Sequence, residues 1–308
     1  MKALSIANPF PGAPVFHVES TTSTMDEARR LARTGARPGS VIVADEQSAG
    51  RGRFADRAWR APPGEGLLAT LILGPEAALI PALPLRIGLA LCRTIDSLAE
   101  RRGEGDGARA SGSIGGVRGS GAGGQARANK TSPSAPPATA LKWPNDVLLG
   151  GRKVAGILCE ASPEGTFIGF GINVGMESFP PELAAKATSL AIALGGDAGD
   201  FDRFRILELA LGQIRLVLDD PRWREAAEAI LWMKGARVRF QNGLPESGDV
   251  AEGILEGLDP TGALLLDQGK PAGPSAFAAG ELIVDWPATQ ASPASPARVD
   301  RNAPDHIM

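Results

Sequence analysis

Lys142-Trp143-Pro144-Asn145-Asp146, answered by Arg152-Lys153-Val154-Ala155-Gly156-Ile157-Leu158, sets strand, turn and strand within one short stretch. Proline presets φ for a turn, and Asn and Asp side chains bond their own backbone there. Pro144-Asn145-Asp146 therefore separates a strand near Leu141 from one near Val147. Apolar runs predict further strands over residues 154–160 and 167–174. A cation, an amide and a carboxylate gathered at such a turn suit nucleotide phosphates and Mg²⁺. Two plainer readings stand beside that one. Asn145-Asp146 can be a turn pair only, and Lys153 a solvated charge at the start of its strand.

Upstream, Gly50-Arg51-Gly52-Arg53 follows Asp45-Glu46-Gln47-Ser48-Ala49. Glycines let backbone amides approach a ligand, and arginine forks grip carboxylate or phosphate oxygens. A flexible basic loop is the plain alternative. An RNA-binding segment is another, but the Gly-Arg repeat is not sustained and the chain has no tyrosine for base stacking. Thr24-Met25-Asp26-Glu27 reads as a capping box opening a helix that Gly35 can close. Val41-Ile42-Val43-Ala44 and residues 67–73 read as buried strands. Residues 84–101 carry helical apolar spacing at Leu85, Leu89, Cys92, Ile95 and Leu98.

Composition then changes. Residues 103–139 are almost entirely Gly, Ala, Ser, Arg and Pro, too poor in apolar groups to offset their ordering entropy. They are expected to be disordered, as a surface insertion or a basic tether for a partner. Residues 204–218 predict an amphipathic helix. Short strands with Gly and Asp turns from Gly235 to about Trp286 predict a small β-barrel. The tail, residues 287–308, is rich in Pro, Ala and Ser and expected to be mobile. The division expected is residues 1–232, 233–286 and the tail.

A formal charge of −3 on 308 residues gives no overall field to gather nucleic acid or anionic lipid. Cys92 and Cys159 lack partner spacing, which argues against a disulfide framework or zinc site and fits a reducing compartment; both read as core. The first residues lack the apolar run of a secretory signal, and no stretch approaches the ~20 apolar residues of a membrane span. A cytoplasmic location is the expectation. His17 and His306 read as surface residues, Trp223 and Trp232 as packing residues.

The Gly-Arg-Gly-Arg and Lys-Trp-Pro-Asn-Asp motifs are flanked by Ser23-Thr24 before them and Gly169-Phe170-Gly171-Ile172-Asn173 after. In that order they resemble the catalytic domain of biotin protein ligases over about residues 20–218, the insert excepted. Gly253-Ile254, Gly262-Ala263-Leu264-Leu265-Leu266 and Gly280-Glu281-Leu282 resemble the same family's small SH3-like domain. The resemblance implies an α+β fold, a mixed β-sheet with flanking helices, plus a small C-terminal SH3-like β-barrel. It implies activation of biotin by ATP, with Mg²⁺, to biotinyl-adenylate, then transfer to a lysine of a biotin carboxyl carrier protein.

By that resemblance Ser23, Thr24 and Gln47 meet the ureido ring of biotin, and Gly156 and Ile157 form pocket wall. Gly50, Arg51 and Arg53 belong to a loop closing over the biotin carboxylate and the α-phosphate, with Lys153 at the same junction. Trp59 offers a face to adenine, while Lys142, Asn145, Asp146 and Asn173 serve phosphates, ribose or metal. No protein nucleophile is implied. This chain has Met25 where the family carries asparagine, and its loop over residues 54–58 is one residue longer. Too few residues precede Ser20 for a helix-turn-helix domain, so DNA binding is expected to be absent. A homodimer is left open. A lipoate-protein ligase on the same fold is the nearest alternative, and a nucleic-acid-binding protein the alternative from another class.

Overall fold

The computed structural model describes residues 1–54, 58–111, 138–243 and 249–284, without side chains over 103–111. The chain opens with β1 (Lys2–Leu4), β2 (Val15–Thr21), α1 (Thr24–Arg33), β3 (Val41–Gln47) and β4 (Gly66–Leu73). Helix α2 (Leu83–Ser111) is followed by β5 (Thr139–Lys142), β6 (Asp146–Leu149), β7 (Arg152–Ser162) and β8 (Gly165–Asn173). Helices α3 (Pro181–Ala184), α4 (Leu190–Leu194), α5 (Arg203–Leu218) and α6 (Trp223–Ala229) come next. Strands β9 (Arg237–Asn242), β10 (Val250–Leu258), β11 (Leu264–Asp267), β12 (Ser275–Phe277) and β13 (Gly280–Ile283) complete the described chain.

Eight strands form one mixed sheet in the order β1-β2-β3-β4-β8-β7-β6-β5. Strands β2 and β3 run parallel, which requires a crossover, and α1 supplies it. Neighbouring pairs from β3 to β5 are antiparallel. Every residue of β4 and β8 is buried, as two covered faces demand. On one face, Met25 and Ala28 of α1 pack on Ile42, Ile72 and Phe167. On the other, Ile87, Leu91 and Ile95 of α2 and Leu207 and Leu211 of α5 join Val43, Leu71 and Ile172 in one core. Each such side chain contributes roughly 1.5–3 kcal/mol on full burial.

Local details correct several expectations. Ser23, not Thr24, caps α1: its Oγ accepts from the Met25 N–H at 3.3 Å. The helix does end at Gly35, at φ +85°, where its N–H bonds Ala32 O and the Ala36 N–H bonds Leu31 O. Helix α2 runs on to Ser111 instead of ending at Arg101. Arg102 pairs with Asp200 and stacks on Phe201 at 4.7 Å, tertiary contacts that outweigh weak local propensity there. Thr139, expected in the insert, belongs to β5 and donates its hydroxyl to Asp96. The rest of the insert and the tail lie outside the described residues, as does His306.

His17 is half-buried, its Nε2 2.9 Å from Asp45 Oδ1, which also accepts from Arg203. Cys92 is core, and Cys159 of β7 is half-buried and packs against that core. Trp223 and Trp232 pack as expected. The C-terminal strands form an antiparallel sheet, β12-β11-β10-β9-β13, which is open among the described residues; a closed barrel is not seen. It docks through Trp143, whose Nε1 donates to Gly262 O at 2.9 Å while its ring lies 5.6 Å from Phe240. The Trp143–Pro144 peptide bond is cis.

Candidate active site

Where α1 begins and β3 ends, beside β6, β7 and β8, the structure opens a cleft of about 880 Å³. Of the site residues expected from the sequence, all line it except Gly50. Gly50 lies behind the loop it starts. Its carbonyl accepts from Trp59 N–H at 2.9 Å, and a Cβ there would sit 2.4 Å from Trp59 O. Glycine is thus required for the loop to fold back on itself.

One end of the cleft is a hydrogen-bonding group. Gln47, last residue of β3, places Oε1 2.7 Å from Thr24 N and 3.0 Å from Thr24 Oγ1. Ser23 and Thr24 are buried at the start of α1. Thr70, in β4 behind them, lies 2.8 Å from Thr24 Oγ1. Burial makes each of these bonds worth more than in water, and each unmade one more costly.

The middle has a glycine floor. A Cβ on Gly171 would lie 2.5 Å from the Trp59 ring, and one on Gly156 2.9 Å from it, so the indole rests on backbone. Trp59 Nε1 is buried and has no acceptor among the described residues. Met25 lies on the same face, its Sδ against Gly169.

The far end is ionic. Lys153 Nζ lies 2.6 Å from Asp146 Oδ1 and 5.4 Å from the Trp59 ring centroid. Lys142 Nζ is 3.9 Å from Asp146 Oδ2. Register explains the grouping: Asp146 pairs Lys142 across β5–β6, and a bulge after Val147 brings Lys153 round. Asn145 Nδ2 donates to Ile157 O, and Asn173 Nδ2 to Thr188 O. Both amides therefore pin neighbouring backbone with their hydrogens, leaving carbonyl oxygens for other work.

The two loop arginines are tied to carboxylates. Arg51 grips Asp26 of α1 with both terminal nitrogens, at 2.8 and 3.3 Å. Arg53 lies 3.9 Å from Glu281 of β13 and stacks on Phe54. Sequence reasoning missed Thr70, Glu281 and Phe179, of which the last two line the cleft. A hydroxyl in the otherwise aliphatic Leu67-Leu68-Ala69-Thr70-Leu71-Ile72-Leu73 was a legible signal. Glu281 and Phe179 gave none, because their approach depends on tertiary docking.

Residues 15–177 match the biotin/lipoate A/B protein ligase family. The "Bifunctional ligase/repressor BirA" of Bacillus spizizenii is 33% identical over 193 residues, 60% of this chain and 48% of that protein. The chain thus spans about half the length of that relative. The biotin--[acetyl-CoA-carboxylase] ligase of Mycobacterium tuberculosis is 31% identical over 266 residues, 82% of each chain. Among solved structures, the biotin protein ligase from Aquifex aeolicus in complex with biotin and ATP superposes with a TM-score of 0.65. That match has 25% identity and covers 87% of this chain and 97% of the other.

Proposed function

The chain belongs to the biotin/lipoate A/B protein ligase family, and on that premise we propose that it is a biotin protein ligase. It activates biotin with ATP to biotinyl-adenylate and passes the biotin to a lysine of a biotin carboxyl carrier protein. One observation carries the reading. A single cleft joins a hydrogen-bonding end at Thr24 and Gln47 to a lysine–carboxylate end at Lys153 and Asp146, across an apolar middle floored by glycine. Biotin has that shape of chemistry: a polar bicycle, an alkyl chain and a carboxylate.

In the first step the carboxylate attacks the α-phosphorus and pyrophosphate leaves. In the second the carrier amine attacks the acyl carbon and AMP leaves. Both reactants of the first step are anionic, so cations must offset their repulsion and stabilise the transition state. Lys153, Arg51 and Arg53 suit that task, and Lys142 with Asn145 and Asn173 the nucleotide side. For it, Arg51 exchanges Asp26, and Arg53 exchanges Glu281, for ligand oxygens. Closure of their loop shields the adenylate from water. Trp59, whose N–H has no acceptor among the described residues and whose face lies toward Lys153, is read as an adenine platform.

Asp146 would hold an Mg²⁺ ion carried in with ATP, and the ion would supply positive charge against the phosphate oxygens. No group of three acidic, His or Cys residues that could hold a metal occurs among the described residues. We read the C-terminal sheet as the family's SH3-like domain over residues 233–286, supported by its antiparallel pairing. A cytoplasmic location and no DNA binding complete the reading; the charge of −3 supports the second, and sedimentation reads the oligomeric state, which the sequence leaves open. No helix among the described residues is long and apolar enough to cross a membrane.

Exchange of labelled pyrophosphate into ATP tests the first step. Exchange that needs biotin and is not supported by lipoate is expected. Exchange supported by lipoate alone would move the activity to lipoate ligation.

A further inference from the structure

Thr70 is fully buried in the otherwise aliphatic β4 and does not line the cleft. The hydrogens around it follow by elimination. A backbone N–H can only donate, and that of Thr24 lies 2.7 Å from Gln47 Oε1. The Gln47 amide is therefore turned with its oxygen toward Thr24 and its nitrogen away. Thr24 Oγ1, 3.0 Å from that same oxygen, must donate to it. With its one hydrogen spent, Thr24 Oγ1 can only accept from Thr70 Oγ1 at 2.8 Å. One lone pair of Thr24 Oγ1 is left, and Thr24 lines the cleft.

Beside it, Gln47 Nε2 and the Ser23 hydroxyl have no acceptor among the described residues. Ser23 Oγ itself accepts from Met25 N–H, so its hydrogen is left to donate. The polar end of the cleft thus presents two donors and one acceptor.

We propose that Thr70 is a positioning residue that fixes Thr24 Oγ1 as an acceptor toward the cleft, so that the pocket selects a head group carrying an N–H beside a carbonyl. The donors of Gln47 and Ser23 take the carbonyl oxygen, and Thr24 takes the N–H. A cyclic urea offers that pattern; a dithiolane or plain alkyl end offers none of it and would leave all three groups unpaired. Without the Thr70 hydroxyl, the inner lone pair of Thr24 is buried and unmatched, and its hydroxyl is free to turn from Gln47. The bonds of such a chain also polarise one another, so the loss reaches the ligand. This inference rests on the biotin reading and deepens it, because Thr70 acts only through Thr24.

Calorimetric titration of the full chain with biotin tests it, using wild type, Thr70→Val, Thr70→Ala and Thr70→Ser. Expected is a biotin Kd raised about ten-fold in the Val and Ala variants and within about two-fold of wild type in Ser. The KM for ATP, and kcat at saturating biotin, stay unchanged. Equal Kd values for wild type and Val would overturn the proposal. So would a Ser variant as weak as Ala, which would trace the effect to the lost methyl. A fall in kcat without a change in Kd would also overturn it. Thermal melts report whether each variant folds, and the Ser–Ala comparison stands even if Val does not fold. A wild-type chain that binds no biotin is a different result: it overturns the biotin reading itself, and this proposal with it.

Discussion

Asp146 shows how one carboxylate can hold a site ready. It keeps Lys153 at 2.6 Å and Lys142 at 3.9 Å, so both ammonium groups stay at one end of the cleft. Lys153→Ala removes the nearer cation and leaves the fold alone, since the side chain is about a third exposed. Adenylate formation should fall by roughly 10²-fold with an unchanged thermal midpoint; pyrophosphate exchange and a melt check both. Gly171→Ala tests the floor. The added methyl would meet the Trp59 ring at 2.5 Å, so the indole must leave its seat, at a cost of about 1–3 kcal/mol. A red-shifted tryptophan emission and weakened ATP binding are expected; an unchanged spectrum would contradict the packing. The meeting of the motif residues in one cleft was legible in the sequence, because glycine, arginine, lysine and carboxylate at short spacing suit one polar, anion-binding place. The present partners of Arg51 and Arg53 were not, since Asp26 and Glu281 come from elements that meet the loop only in three dimensions.

Helices α2 and α5 are tied by more than apolar contact. Arg86 of α2 is buried and donates through Nη1 to the carbonyls of Val217, Leu218 and Asp220, capping the end of α5, while its Nε bonds Pro81 O. Its plane also lies over Trp223 at 4.9 Å. Burial pulls its pKa down from the ordinary arginine value, against attraction from Asp220 and Asp219 that raises it. Arg86→Ala leaves those carbonyls without a donor and should lower stability by about 3 kcal/mol, measured by urea unfolding. The helix itself was readable from its apolar spacing. Its continuation to Ser111 was not, because glycine-rich composition argues locally for an end and Arg102 anchors the chain from outside the window. The cap of α1 went to Ser23 for a similar reason: Thr24, the expected cap, has its hydroxyl directed to Gln47 instead.

Across the whole molecule, Asp45 and Glu228 join distant elements, while Asp259 ties down its own turn. Burial alone would raise Asp45, Glu228 and Asp259. Hydrogen bonds from Arg203 and His17, from Lys234 and Leu258 N–H, and from Thr261 and neighbouring backbone outweigh it and hold all three below their ordinary values. A lowered folded-state value means stability that is present above the ordinary value and lost as pH falls through the lowered one. The ordinary values are 3.8 for Asp and 4.5 for Glu, so the thermal midpoint should decline as pH drops below about 4.5. A midpoint flat from about pH 5 to about pH 3 would contradict this. The mixed sheet with helices on both faces was legible because buried strands and one parallel crossover leave few alternatives. Closure of the C-terminal strands was not, since short alternating strands fit an open sheet as readily as a barrel. The most direct test of the central claim is transfer of labelled biotin to a biotin carboxyl carrier domain, with ATP and Mg²⁺ and excess lipoate as competitor. Label on the carrier lysine, undiminished by lipoate, is the predicted result. No biotin transfer, with lipoate passed to a lipoyl domain instead, would contradict it.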